Sequence, residues 1–136
     1  MTGLWKRLNL KDQKEILVLN PPDSLATELK ALKRVRVQRR IAGVKELSFV
    51  LAFVVTKIEL DKLAEMVVSK ASGDVLLWFA YPKSTSTKYK CDFNRDSGWD
   101  ILWKAGFDTV RQVAIDGDWS ALRFRRVEFI NHQVGK

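Results

Sequence analysis

The run Asp74-Val75-Leu76-Leu77-Trp78-Phe79-Ala80-Tyr81-Pro82-Lys83 is apolar from Val75 to Tyr81, with Gly73 before it and Pro82 closing it. A stretch of that length without polar alternation is a strand buried on both faces, as at the centre of a parallel sheet covered by helices. Polar residues gather where it ends, from Lys83 to Lys88, and the rest of the chain is arranged around it.

Upstream, Glu15 to Asn20 is a shorter apolar run stopped by Pro21 and Pro22, and it reads as the first buried strand. Asp23 or Ser24 is placed to cap a helix carrying Leu25, Leu29 and Leu32. Val35 and Val37 alternate with Arg34, Arg36 and Gln38, the pattern of a half-covered edge strand whose charges resist edge-to-edge pairing. Leu47 to Val55 is continuously apolar again, a second central strand. Thr56 and Glu59 then form a capping box before a helix whose apolar face is Leu60, Leu63, Ala64, Val67, Val68 and Ala71.

Beyond the polar loop, Asp96 or Ser97 is expected to cap a helix with Trp99, Leu102 and Trp103 on one side, and Gly106 suits its left-handed end. Thr109 to Ile115 and Ala121 to Ile130 read as the last two strands. The turn between them is Asp116-Gly117-Asp118, where glycine would supply a positive φ, and a phase slip suggests a bulge near Arg126. Near the start, Leu4, Trp5 and Leu8 have the spacing of a short amphipathic helix.

Strands alternating with helices imply right-handed crossovers. The expected fold is α/β, a three-layer Rossmann-like sandwich with a mostly parallel sheet of about six strands ending in an antiparallel hairpin. With 136 residues and no internal repeat or long linker, residues 1–136 are expected to form one domain.

Cys91 is the only cysteine and His132 the only histidine. That removes internal disulfides, thiolate metal centres and most Ser-His or Cys-His schemes, and no metal site is expected. A formal charge of +8 favours polyanionic partners over acidic ones. No apolar run is long enough to span a bilayer, and the opening residues lack the apolar core of a secretory signal. The expectation is a cytoplasmic protein with no membrane partner, and nothing in the sequence sets an oligomeric state.

From Leu47 onward the order of elements is similar to the second half of the class I, S-adenosylmethionine-dependent methyltransferase fold. The residues carrying the likeness are Gly73 to Pro82, then Ala105-Gly106-Phe107, then Val110 to Ile115 and Ala121 to Arg126. The chain also resembles a small bacterial family of single-domain proteins built on a shortened form of this fold, through Tyr81-Pro82-Lys83 and Asp116-Gly117-Asp118-Trp119-Ser120. The methyltransferase resemblance implies a glycine-rich turn after the first strand and an acidic residue at the end of the second. At those places this sequence has Asn20-Pro21-Pro22-Asp23 and Gln38-Arg39-Arg40. Proline offers no N–H and blocks close backbone approach, so no S-adenosylmethionine or NAD cofactor is expected.

In an open α/β sheet, ligands sit outside the carboxyl ends of the strands. That edge would collect Asn20, Asp23 and Ser24, then Thr56 and Lys57, then Lys83, Ser84, Thr85 and Lys88, then Asp116, Asp118, Trp119 and Ser120. Caps and turns account for several of these without a ligand. The lysines and hydroxyls between Lys83 and Lys90 suit phosphate oxygens, and Trp119 is expected to fold over the sheet end as a plug. The functional expectation is a non-catalytic binding or regulatory domain for a small anionic ligand, or for a protein partner. One alternative is an enzyme with a non-standard site at that edge, drawing on Asp116, Asp118, Lys83 and Asn20. The other is a nucleic-acid accessory protein using basic residues from Lys30 to Arg40 together with Arg123, Arg125 and Arg126.

Overall fold

The computed structural model describes residues 3–130; His132 lies outside them. Six strands form one sheet: β1 Glu15–Leu19, β2 Arg36–Gln38, β3 Phe49–Phe53, β4 Leu76–Pro82, β5 Phe107–Ala114 and β6 Trp119–Arg126. Their spatial order is β2-β1-β3-β4-β6-β5. The first four are parallel to one another, while β6 runs antiparallel to both β4 and β5. The fold is therefore the expected α/β sandwich with a terminal antiparallel hairpin. β4 lies inside the sheet between β3 and β6, as its unbroken apolar run requires.

Side chains alternate across the pleat, and this divides the core into two layers. On one face Leu17, Val50, Leu77, Phe79, Leu122 and Phe124 pack under Leu60, Ala64 and Val67 of α3 (Lys57–Lys70) and under Trp99 and Leu102 at α4 (Asp100–Lys104). On the other, Ile16, Val18, Phe49, Leu51, Phe53 and Trp78 pack against Leu4, Trp5 and Leu8 of the α1 (Gly3–Arg7) segment and against Leu25. Two indole N–H groups pin that layer. Trp5 Nε1 donates to the Glu28 carbonyl at 2.9 Å, and Trp78 Nε1 donates to the Leu8 carbonyl at 2.9 Å.

Several local expectations are corrected. Neither Asp23 nor Ser24 caps a helix: a 3-10 turn at Asp23–Leu25 leads into the single turn of α2 (Ala26–Lys30), and no side chain caps either. At α4 the N-cap position is Trp99, with no side-chain cap; Asp96 instead donates its N–H to Asn94 Oδ1 at 2.8 Å. Trp103 is 43 % exposed, because a helix this short turns only one aromatic, Trp99, into the core. The register irregularity falls between Thr109 and Arg111 in β5, not near Arg126. The β5–β6 turn needs no positive φ at Gly117, since Asp116 Oδ1 accepts the N–H groups of Asp118 and Trp119 at 2.8 and 2.9 Å. Thr56 does cap α3, accepting the Glu59 N–H at 3.1 Å, but Glu59 returns its carboxylate to the Val55 N–H rather than to that of Thr56.

No helix among the described residues is long and apolar enough to cross a membrane.

Candidate functional site

The chain from Lys83 to Gly98 leaves the carboxyl end of β4 and returns to α4, walling a cavity of about 1170 Å³ over β4, β6 and β5. That volume accommodates a small molecule, and the position is the sheet edge where ligands of open α/β folds sit. The floor is set by strand register. Tyr81 of β4 lies directly opposite Ser120 of β6, and Ala114 of β5 lies opposite Ser120 on the other side. One pleat away on β5, Gln112 presents its amide to the same face.

These groups form a connected chain. Gln112 Nε2 donates to Ser120 Oγ at 2.9 Å and to Tyr81 Oη at 3.2 Å. Arg95 Nη1 donates to Gln112 Oε1 at 3.2 Å, which fixes the amide with its N–H groups toward the floor. Tyr81 and Ser120 are buried, Ser120 being the one buried polar side chain among the described residues. Burial pushes the Tyr81 phenol above its ordinary range, against a smaller opposite pull from its hydrogen bond with Ser120. The phenol therefore stays protonated at neutral pH, available as a donor.

An aromatic wall holds the tyrosine ring. Trp99 meets Tyr81, Phe79 and Phe93 edge-on at centroid distances of 5.7, 6.2 and 5.2 Å, and its Nε1 donates to the Asn94 carbonyl at 2.8 Å. Gly98 has φ +96°, and a Cβ there would come within 2.7 Å of Phe93 Cβ, so this corner admits only glycine.

The rim carries Lys83, Ser84, Thr85, Lys90 and Arg95. Among the described residues, neither Lys83 nor Lys90 has a carboxylate partner, whereas Arg95 approaches Asp96 at 3.6 Å. Cys91 also lines the cavity, but burial pushes its thiol up, away from the thiolate a nucleophile needs.

Of the residues singled out from sequence, Lys83, Ser84, Thr85 and Ser120 line this cavity. The others are spent on structure or lie elsewhere. Asp116 caps its own turn and accepts from Ser24 Oγ at 3.4 Å. Asp118 accepts from Ser86 Oγ at 2.9 Å and its carbonyl accepts from the Lys83 N–H at 2.8 Å, which ties the loop to the hairpin. Lys88 sits over the Tyr89 ring. Trp119 is buried between Phe53 and Tyr89 at 5.1 and 4.9 Å, filling the sheet end. Thr56 caps α3, and Lys57 bridges Asp61 and Asp100. Asn20 and Asp23 are exposed at the end of β1.

Sequence reasoning missed Tyr81, Gln112 and Arg95. A lone hydroxyl at the end of an otherwise apolar strand was the available signal for Tyr81; Gln112 and Arg95 converge only through tertiary register.

The end of β1 does not fit a dinucleotide or S-adenosylmethionine cradle. Asn20 takes the left-handed conformation at φ +53°, and the chain passes through Pro21 and Pro22 directly into the 3-10 turn, without free amides facing outward at those two positions. At the end of β2, Gln38 Nε2 donates to Glu15 Oε2 at 3.0 Å, and Arg39 and Arg40 stand where a ribose-binding carboxylate would be needed. Among the described residues no group of three or more His, Cys, Asp or Glu is placed to hold a metal ion.

No family model and no curated protein matches the chain. Solved structures do. A SAM-dependent methyltransferase from Aquifex aeolicus superposes with a TM-score of 0.59 at 13% identity, covering 90% of this chain and 87% of the other. Magnesium protoporphyrin IX methyltransferase from Synechocystis PCC 6803, solved with bound SAM, superposes with a TM-score of 0.54 at 12% identity, covering 90% and 74%. The chain has the methyltransferase-like Rossmann fold. These likenesses correct the expectation of a non-catalytic binding or regulatory domain, because the scaffold is one on which the matched proteins are enzymes. The proline turn removes one way of seating a cofactor at β1 and says nothing against chemistry at the end of β4.

Proposed function

We propose that this chain is an enzyme acting on a small anionic substrate bound in the cavity at the carboxyl end of β4. The observation that carries the reading is the chain Arg95–Gln112–Ser120/Tyr81, in which a buried phenol and a buried hydroxyl are oriented by an amide that is itself fixed from outside. Buried polar groups converging on a cavity floor at the ligand edge of an α/β sheet are arranged for a bound molecule.

The division of labour follows from charge. Lys83 and Lys90 supply positive potential for an anionic group, Arg95 being partly offset by Asp96 and Asp92 standing on the same wall, and the Ser84 and Thr85 hydroxyls supply donors beside them. Tyr81, kept protonated by its burial, donates its proton or a hydrogen bond to an oxygen that gains charge as the reaction proceeds. Gln112 and Ser120 position that phenol.

Methyl transfer, the activity named for the matched structures, is the first reaction to test. The end of β1 does not fit the usual donor cradle, so no step is assigned through that donor. A cytoplasmic location is part of the same proposal, supported by a single cysteine, which agrees with a reducing compartment.

The test is turnover in a protein-free metabolite extract followed by mass spectrometry, with and without S-adenosylmethionine, comparing wild type with Tyr81→Phe and Gln112→Ala. The expected result is depletion of an anionic metabolite by wild type, reduced about 100-fold or more in Tyr81→Phe, as for loss of a proton donor. No depletion by wild type, or equal depletion by folded Tyr81→Phe, overturns the proposal.

A further inference from the structure

On the opposite face of the hairpin from the cavity, the sheet carries an arrangement the site above does not use. Arg111 of β5 and Arg123 of β6 are direct cross-strand partners. Directly opposed residues hold their Cβ atoms about 4.5–5.5 Å apart, and like charges there are destabilising. The neighbouring basic pair is different: Arg125 is neutralised by Asp74, with contacts of 2.9 and 2.6 Å. Asp74 acts on Arg123 only through its field, with no ion pair or hydrogen bond to it among the described residues. The Arg123 Nε is buried and has no hydrogen-bond partner among the described residues. On its other side Arg123 is paired with Trp78 of β4, the indole that bonds to Leu8, so the guanidinium emerges beside the end of α1. Arg111 reaches the same place, donating from Nη1 to Asn9 Oδ1 at 3.1 Å. Arg7 comes in from α1 and donates to the Ala114 carbonyl at 2.9 Å.

We infer that Arg111 and Arg123 form a phosphate-binding site on the α1 face of the β5–β6 hairpin, distinct from the cavity on the α3 face. Paired guanidinium groups present planar donors that match phosphate oxygens, and an oxyanion bridging their outer Nη groups removes the like-charge repulsion, while the buried Arg123 Nε stays on the protein side. The chain's charge of +8 brings such ligands to the surface. The phosphate belongs either to a small phosphomonoester or to a nucleic-acid backbone, and the two differ in salt response.

The experiment follows the arginine ¹Hε–¹⁵Nε correlations of the full chain during titration with inorganic phosphate, then glycerol 3-phosphate, then a single-stranded 12-mer oligonucleotide. The expected result is a saturable shift of the Arg123 signal whose affinity is about tenfold weaker in Arg111→Gln, the scale of one charged hydrogen-bonding partner, while any shift of the Arg95 signal keeps the same affinity in that variant. Thermal denaturation gives a second readout in case Arg123→Gln folds poorly. Without phosphate, Arg111→Gln melts no lower than wild type because a like-charge pair is gone, and added phosphate raises the wild-type midpoint more than that of the variant. Oligonucleotide affinity that exceeds that of the monoester and falls steeply with salt assigns the site to nucleic-acid phosphate; similar affinities assign it to a small ester. Arg123 signals unmoved by all three probes, or phosphate protection equal in wild type and Arg111→Gln, overturn the site.

Discussion

Trp99 is the residue whose removal most directly tests how the cavity wall is held. Its side chain is fully buried, it contacts Tyr81, Phe79, Phe93 and Phe124, and its Nε1 bonds to the Asn94 carbonyl at 2.8 Å. Trp99→Ala removes all of this and leaves a void, for which about 3–5 kcal/mol is typical. Four aromatic neighbours, each adding about 0.5–1.5 kcal/mol beyond area, place the cost toward about 5 kcal/mol. For a domain of this size one kcal/mol moves the midpoint by about 3–4 °C, so the variant melts about 15 °C lower. Trp99→Phe keeps an aromatic ring in the box and loses the N–H and part of the area, at about 1–2 kcal/mol and a fall of about 5 °C. Calorimetric melts of wild type and both variants read these values. A Trp99→Ala loss below about 1 kcal/mol, or equal midpoints for the two variants, refutes the reasoning that this indole organises the wall.

Gly98→Ala places a Cβ in a backbone conformation with φ +96° and 2.7 Å from Phe93 Cβ; a loss of about 2 kcal/mol is expected in urea unfolding, and an unchanged urea midpoint would show that this corner yields. Asp74 is held below the usual carboxylate range by hydrogen bonds from Arg125, with burial working in the opposite direction. A depressed folded pKa contributes stability that is fully present above the unfolded value of about 3.9 and is lost as pH falls through the lower folded value. Asp74→Asn is therefore less stable than wild type by about 0.5–1 kcal/mol at pH 7, since the pair is part-exposed, and the gap closes as pH falls through the depressed folded value; a gap independent of pH contradicts the assignment.

The fold was legible where one physical requirement dominates a stretch. Val75 to Tyr81 admits no solvent-facing side, so β4 had to be interior, and Leu47 to Val55 placed β3 beside it by the same logic. Short elements were less legible. α2 and α4 span single turns whose ends are set by packing of Leu25 and Trp99 rather than by Asp23, Ser24, Asp96 or Ser97, and a bulge in β5 leaves no clear phase change in a strand that alternates weakly. Lys83, Ser84 and Thr85 could be placed at the β4 edge because strand-end loops follow directly from strand assignment. Gln112 and Arg95 could not, since the bond between them depends on how the Lys83–Gly98 chain lies against the outer strand. Asp116 and Asp118 stand in the sequence as candidates for a site at the strand edge, but both are occupied by backbone and hydroxyl donors that hold the hairpin and the loop together.

The proposed ligand site of this chain is the end of β4 and not the proline turn after β1. Backbone amide shifts of the ¹⁵N-labelled protein, titrated with S-adenosylmethionine and with the metabolite consumed in the turnover assay, test it directly. The metabolite should move amides in the segment 83–97 and at Gln112 and Ser120, and S-adenosylmethionine should leave Asn20, Asp23, Ser24, Arg39 and Arg40 in place. Saturable shifts centred on Asn20 to Ser24 and on Gln38 to Arg40, with the β4 edge unmoved, would contradict it.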